Sequence, residues 1–356
     1  MDTLNISKIK GRGAVSNHSG RFERFTYEKS QDGWETSDPE REPVATSVYT
    51  DASKSVISYN DSPDIPFDRS VNPYRGCEHG CIYCYARPSH AWLGLSPGID
   101  FETKLYAKLD AAALLRQELS RPSYRPAPLI LGSNTDPYQP IEKKYQITRQ
   151  ILSVLLEFQH PVTIITKSAL LLRDLDIFKE LAAHDLLRIF LSIGTLDATL
   201  ARLMEPRAAQ PRKRLFALQQ LSAQRIPVGV LIAPIIPGLN DSELEQITQV
   251  IAESGATYAG YNLLRLPYEI KDLFQEWLSQ HYPDRQSKIL SLIRETRKGS
   301  LNNSDFSQRM TGQGIYAQLI GQRFRLAIER VGLNREAFKQ RTDLFRIPGP
   351  FQLPLI

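Results

Sequence analysis

The residues best suited to chemistry lie in one stretch of this 356-residue chain, Asn72-Pro73-Tyr74-Arg75-Gly76-Cys77-Glu78-His79-Gly80-Cys81-Ile82-Tyr83-Cys84-Tyr85. Cys77, Cys81 and Cys84 are the only cysteines in the protein, and thiolates this closely spaced are a donor set that soft metals select. Disulfides fit poorly: the number is odd, the spacings would close very small loops, and no secretory signal is expected at the start. A structural zinc ion would need a fourth ligand, which His79, His90 or another of the six histidines can supply. The third reading is a [4Fe-4S] cluster with three irons on thiolates and one left open, because four cysteines make the closed form and no fourth exists here. An open iron is a place to bind something.

The elements that must position this loop begin near residue 70, where strand and helix patterns start to alternate. Strands are expected at 70–74, 128–133, 162–167, 187–193, 228–233 and 258–266. Helices are expected at 86–95, 110–120, 145–159, 170–184, 198–205, 212–224 and 269–281. In the 145–159 segment Ile147, Ile151, Val154, Leu155 and Phe158 make one apolar stripe. Pro234, Pro237 and Gly238 should stop the fifth strand, and Ser242 with Glu245 reads as a capping box for a helix carrying Leu244, Ile247 and Ile251. Six strand-then-helix units fit an α/β fold of the partial (β/α)6 TIM-like barrel kind. The count alone also fits an open doubly wound sheet.

In both architectures ligands gather at the C-terminal ends of the strands. That rule singles out Ser133, Asn134, Thr135 and Asp136 after the second strand, Lys167 after the third, Ser192 and Thr195 after the fourth, and Asn262 and Arg265 after the sixth. Burying such groups costs a few kcal/mol unless each finds a partner, so a polar ligand is expected at this rim.

Length admits one large barrel with appendages or two ordinary domains. Three regions are expected: a loosely ordered N-terminal arm (1–65), a core barrel (66–284) and a basic helical C-terminal extension (285–356). No run of 18 apolar residues occurs, so a soluble cytoplasmic protein with no membrane segment is expected. A net charge of +5 and a pI near 9.0 allow an anionic partner such as nucleic acid. After residue 284, Arg285, Lys288, Arg294, Arg297, Arg309, Arg323, Arg330, Arg341 and others outweigh the acids, and helices are expected at 287–296 and 316–331. Between them, Met310-Thr311-Gly312-Gln313-Gly314 reads as a loop over the barrel mouth. The basic run Arg202, Arg207, Arg212, Lys213 and Arg214 around Glu205-Pro206 reads first as a solvated face and second as a phosphate contact, with Glu205 the alternative holder of one of these arginines or a residue reaching the site.

The Cys-x3-Cys-x2-Cys spacing, with Tyr83 just before the third cysteine, resembles the cluster loop of the radical S-adenosylmethionine (SAM) superfamily. Within it the chain is most similar to the spore photoproduct lyase-like branch of uncharacterised bacterial proteins. That likeness covers about 70–270 through Asn72-Pro73-Tyr74-Arg75-Gly76-Cys77, Gly132-Ser133-Asn134-Thr135-Asp136, Thr166-Lys167-Ser168, Glu205-Pro206-Arg207 and Pro234-Ile235-Ile236-Pro237-Gly238-Leu239-Asn240-Asp241. The resemblance implies a [4Fe-4S] cluster on Cys77, Cys81 and Cys84 and SAM on the open iron. One electron then releases a 5′-deoxyadenosyl radical that abstracts hydrogen from a substrate. It further implies that Tyr83 packs near the adenine, Ser133 to Asp136 receive the SAM amino end, Lys167 pairs its carboxylate, and Ser192 meets the ribose or methionine end. A reducing partner such as flavodoxin or ferredoxin is implied too.

One departure matters. The lyase that repairs spore DNA uses an extra cysteine as hydrogen donor, and this chain has none, so that route is closed to it and a thymine-dimer lyase is disfavoured; Tyr138 or Tyr261 could donate in principle, but a tyrosine near a strand end reads first as packing. Two functional classes stay open: a radical SAM enzyme acting on nucleic acid or a smaller substrate, and a non-catalytic metal-stabilised nucleic-acid-binding protein.

Overall fold

The computed structural model describes residues 11–23, 44–336 and 339–349. Two short strands, β1 (Ser47–Thr50) and β2 (Ile57–Tyr59), precede β3 (Arg69–Val71), which leads into the cysteine loop through β4 (Tyr74–Arg75). After the loop come a 3-10 helix (Arg87–Leu93), α1 (Asp100–Thr103), β5 (Lys104–Ala107) and α2 (Ala111–Leu119). Strand β5 lies between β1 and β4 in a small separate sheet. The remaining chain runs β6 (Leu129–Leu131), α3 (Glu142–Tyr145), α4 (Ile147–Glu157), β7 (Val162–Thr166), α5 (Leu175–Ala183) and β8 (Leu187–Ser192). Then follow α6 (Ala198–Met204), α7 (Pro211–Ala223), β9 (Val228–Ile235), α8 (Leu244–Glu253) and β10 (Tyr258–Leu263). Helices α9 (Ile270–His281), α10 (Pro283–Glu295) and α11 (Gly314–Val331) complete it.

The main sheet has the order β2-β3-β6-β7-β8-β9-β10, all parallel except β2. The order follows the sequence without a reversal, which is how a barrel winds; a doubly wound sheet would reverse at a switch point. Among the described residues β2 and β10 do not pair, so the wall stays open. β7 and β8 are almost wholly buried, as a parallel sheet covered on both faces requires. The predicted stripe of α4 is buried against the sheet, each side chain contributing about 1.5–3 kcal/mol.

Several boundaries depart from expectation for identifiable reasons. β9 continues through Pro234 to Ile235, where its ladder with β10 shifts register. The capping box does not form: Asp241–Glu243 is a 3-10 turn, and Glu245 pairs with Arg323 at 2.7 Å. The N-terminal arm, expected to be loosely ordered, is built into the fold where it is described. Gly13 and Ala14 donate backbone N–H to the buried Glu102 carboxylate at 3.0 and 2.8 Å, and Asn17 and Arg21 bind Asp100 and Glu269.

The C-terminal extension blunts the open edge of β10. The Asn334 amide makes two hydrogen bonds with the backbone of Ala259, and Leu263 N–H donates to Met310 O at 2.8 Å. Arg297, buried, ties the carbonyls of Gln308 and Arg309 to those of Leu263 and Leu264. At the opposite end of the strands Gln340 donates to Val162 O and Leu186 O, so this part of the tail closes the barrel bottom.

Candidate functional site

Two turns shape the cysteine loop: Gly80 N–H donates to Cys77 O and Cys84 N–H to Cys81 O. Further bonds fix it from outside, from Cys77 N–H to Phe101 O and from Ile82 N–H to Met204 O, both 3.0 Å. Arg87, three residues past the last cysteine, reaches back to the carbonyls of Gly80, Cys81, Pro97 and Gly98 and pairs with Glu102 at 2.5 Å. Both side chains of that pair are 0% exposed. Gly13 seats directly on the loop, where an added Cβ would lie 1.8 Å from Gly80 O.

Cys77 and Cys81 are buried and Cys84 is half-buried. Burial pushes all three thiols up, and at Cys77 the other two cysteines add to the rise. Thiols that share one loop and oppose each other's ionisation suit a cationic iron centre, which offsets that cost. A single ion asks for ligands converging on one point, and among the described residues no three His, Cys, Asp or Glu side chains do so. A cubane places each thiolate on its own iron, so the donor set fits the cluster in chemistry and number. His90, considered as a fourth zinc ligand, meets Lys104 O through Nε2 at 2.9 Å, and His79 Nδ1 is 3.3 Å from Asp136.

Beside the loop stands a charged network that the sequence reading only half anticipated. The Tyr83 hydroxyl and the Arg214 guanidinium both donate to Glu205, and Lys167 Nζ lies 3.6 Å from the same carboxylate. Lys167 also bonds Ser192 Oγ at 2.5 Å and sits 5.7 Å from the Tyr83 ring centre. Burial would raise the Glu205 carboxyl, but Arg214 and Lys167 outweigh it and hold it at about 2. Tyr83, Lys167 and Ser192 are thus brought together around Glu205. Arg214 is a correction: its side chain is 2% exposed, so it is no part of a solvated face. The hint was Glu205 nearby in sequence, a carboxylate in need of a counterion.

The segment after β6 meets the same rim. Asn72 Oδ1 accepts from the backbone N–H of Asn134 and Thr135, and the Tyr85 hydroxyl donates to Ser133 O. Gly132 has φ +93°, and a Cβ there would lie 2.1 Å from Ile165 O, so only glycine lets the turn pass so close to β7. Ser133 and Asn134 remain reachable from outside, but the other two side chains are engaged: Thr135 Oγ1 donates to Tyr74 O at 2.9 Å. Asp136 accepts from Thr166 Oγ1 and Lys167 N–H, both at 2.7 Å, which with His79 keeps its carboxyl at about 2 against the effect of burial.

Other candidates are engaged with partners outside the Glu205 network. Tyr138 is buried with its hydroxyl on Asp174, and Tyr261 packs on Phe324 of α11. Thr195 donates to Glu243. A hollow of about 530 Å³ lined by Asp197, Leu239, Glu243, Tyr282 and Arg285 contains none of the cysteines. Much of the basic extension is committed internally, Arg309 to Asp64, Arg323 to Glu245, Arg341 to Asp343 and Lys298 to Asp305. Among the described residues no helix is long and apolar enough to cross a membrane.

Comparison with known proteins bears on the family and the fold. An uncharacterised protein of Mycobacterium tuberculosis is 38% identical over 232 residues, covering 65% of this chain and 68% of its own. One from Methanocaldococcus jannaschii is 30% identical over 217 residues, 60% of this chain and 76% of its own. Among solved structures, a mutant of spore photoproduct lyase matches with TM-score 0.58 at 17% identity over 80% of this chain and 78% of that one. Another, with bound AdoMet and dinucleoside spore photoproduct, matches with TM-score 0.55 at 17% identity and the same coverage. At that identity the likeness is one of fold. The radical SAM superfamily pattern matches residues 71–251, from the end of β3 into α8. The chain belongs to the radical SAM superfamily, and is an enzyme working with a [4Fe-4S] cluster and S-adenosylmethionine.

Proposed function

We propose that Cys77, Cys81 and Cys84 hold the cluster, that SAM lies among Tyr83, Ser133, Asn134, Lys167 and Ser192, and that the substrate is a nucleic acid. Thr135 and Asp136 act one step back, keeping the strand-end loop in place. The observation that carries the reading is that the cysteine loop and the Lys167–Ser192–Glu205 network meet on one rim through Tyr83. Cluster and SAM, when bound, supply a 5′-deoxyadenosyl radical by reductive cleavage. The chain's own residues do the positioning. Lys167 offers an ammonium to a carboxylate, Ser192 a hydroxyl, and Tyr83 a ring whose orientation Glu205 fixes. The hydrogen donor is not a protein cysteine, and a flavodoxin or ferredoxin supplies the electron. A metal-stabilised binding protein without catalysis has no observation in its favour.

Anaerobic purification with iron, sulfide and zinc analysis, then dithionite reduction with SAM, tests this. About four irons per chain and 5′-deoxyadenosine, both lost in Cys81→Ala, are expected. Stoichiometric zinc and no cleavage after reconstitution would overturn the assignment. Deuterium passing from deuterated single-stranded DNA or RNA into 5′-deoxyadenosine, absent with nucleosides alone, would support the substrate class.

A further inference from the structure

Arg265 follows β10 on the same rim as the cysteines. Its guanidinium lies 5.7 Å from the ring centre of Tyr85, the residue directly after Cys84. Among the described residues it has no oxygen acceptor. Its one hydrogen-bond contact is Nη1 to Met310 Sδ at 3.7 Å, a weak acceptor, and its Nε is enclosed by protein without a partner. Neighbouring arginines differ. Arg309 is held by both oxygens of Asp64, and Arg297 by four backbone carbonyls. Burial and then Arg309 lower Arg265, and burial and then Arg265 lower Arg297 to about 10, so the three charges oppose one another.

A half-buried guanidinium with no acceptor is costly until an oxyanion arrives, and its forked N–H groups match a phosphate in two places. The surface around it narrows the choice. Tyr85 and Phe306 are each 50% exposed, and Arg309 lies over the Phe306 ring at 4.7 Å. Open aromatic faces interleaved with guanidiniums are what a single nucleic-acid strand stacks on and neutralises; a small free anion would leave the rings unused.

We propose that Arg265 binds a phosphodiester of the substrate, a single-stranded or flipped-out nucleic-acid segment, with Tyr85 and Phe306 offering ring faces to its bases. The inference rests on the nucleic-acid reading above. Anisotropy titrations of a labelled pyrimidine 12-mer, across a salt series, compare the cluster-loaded wild type with Arg265→Gln, Arg265→Lys and, on exposed α11, Arg325→Gln. Iron content and circular dichroism establish that each variant is folded. Arg265→Gln is expected to bind about tenfold or more weakly with a salt slope smaller by about 0.7, Arg265→Lys to keep part of the affinity, and Arg325→Gln to bind as wild type. Tight wild-type binding that Arg265→Gln leaves unchanged, or weakening equal to that of Arg325→Gln, would overturn the phosphate site while leaving the nucleic-acid reading standing. No wild-type binding at low salt would overturn both.

Discussion

Replacing Glu205 with glutamine should cost about 3 kcal/mol at neutral pH, and the cost should fade in acid. The carboxylate is buried, takes hydrogen bonds from Tyr83 and Arg214, and has Lys167 3.6 Å away. Burial alone would raise its pKa; Arg214 and Lys167 reverse that and bring it from an ordinary 4.5 to about 2. That gap corresponds to about 3 kcal/mol. Breaking one side of a buried pair costs about 3–5 kcal/mol by a separate route, because Arg214, 2% exposed, is left without a counterion. Glutamine keeps an acceptor for Arg214, so the lower end is expected. The unfolded chain takes up the proton near 4.5 and the folded one only near 2. The contribution is therefore complete above 4.5 and is lost as pH falls from 4.5 towards 2. Urea unfolding of cluster-free wild type and Glu205→Gln, followed by circular dichroism from pH 7 to 3, measures this. The gap should narrow steadily below pH 4.5, and Glu205→Gln combined with Arg214→Met should regain much of the loss. A gap under about 1 kcal/mol at pH 7, or one indifferent to pH, would refute the reasoning.

Gly13→Ala drives a Cβ to 1.8 Å from Gly80 O and should cost about 1–3 kcal/mol while lowering iron per chain; unchanged iron loading would separate the N-terminal segment from the cysteine loop. Asn334→Ala removes both hydrogen bonds to Ala259 and should cost about 1–3 kcal/mol, with light scattering rising as the β10 edge opens; an unaltered melting midpoint counts against that capping role. Burial holds His90 and His160 at about 4, below their ordinary 6.5. The unfolded chain binds protons first, so as pH falls from 6.5 to 4 each is expected to lose up to about 3 kcal/mol of stability. His160→Gln should flatten the midpoint against pH over that window, and an unchanged slope would assign it to other groups.

What was legible in the sequence was local. The three cysteines sit within eight residues, and the strands announce themselves as apolar runs closed by polar residues, so loop, sheet and rim could be read without distant partners. The rest depended on partners far along the chain. Nothing near Asp136 reveals that Thr166 and the Lys167 backbone will occupy it, and nothing near Arg12 to Ala14 reveals Glu102, almost 90 residues on. Ser242 and Glu245 had the spacing of a cap, but Arg323 took the glutamate. Glu205 could be seen as a holder for one of the arginines around it, but nothing local picks out Arg214, nine residues on, over the others.

These long-range pairs share a purpose that follows from their energetics. A buried ion pair adds little net stability over a well-packed apolar pair, but it tolerates few geometries. Arg87–Glu102 fixes the middle of the cysteine loop, through the carbonyls of Gly80 and Cys81. Arg214–Glu205 fixes it a second time, through Tyr83 between the second and third cysteines. A loop pinned at Gly80 and Cys81 and again at Tyr83 by buried ion pairs keeps its three thiols in a fixed arrangement, as the proposed cluster would require. Among the described residues Arg265, on the same rim, has no carboxylate or carbonyl acceptor, so where these ion pairs position the loop, its guanidinium is left for the phosphodiester proposed above.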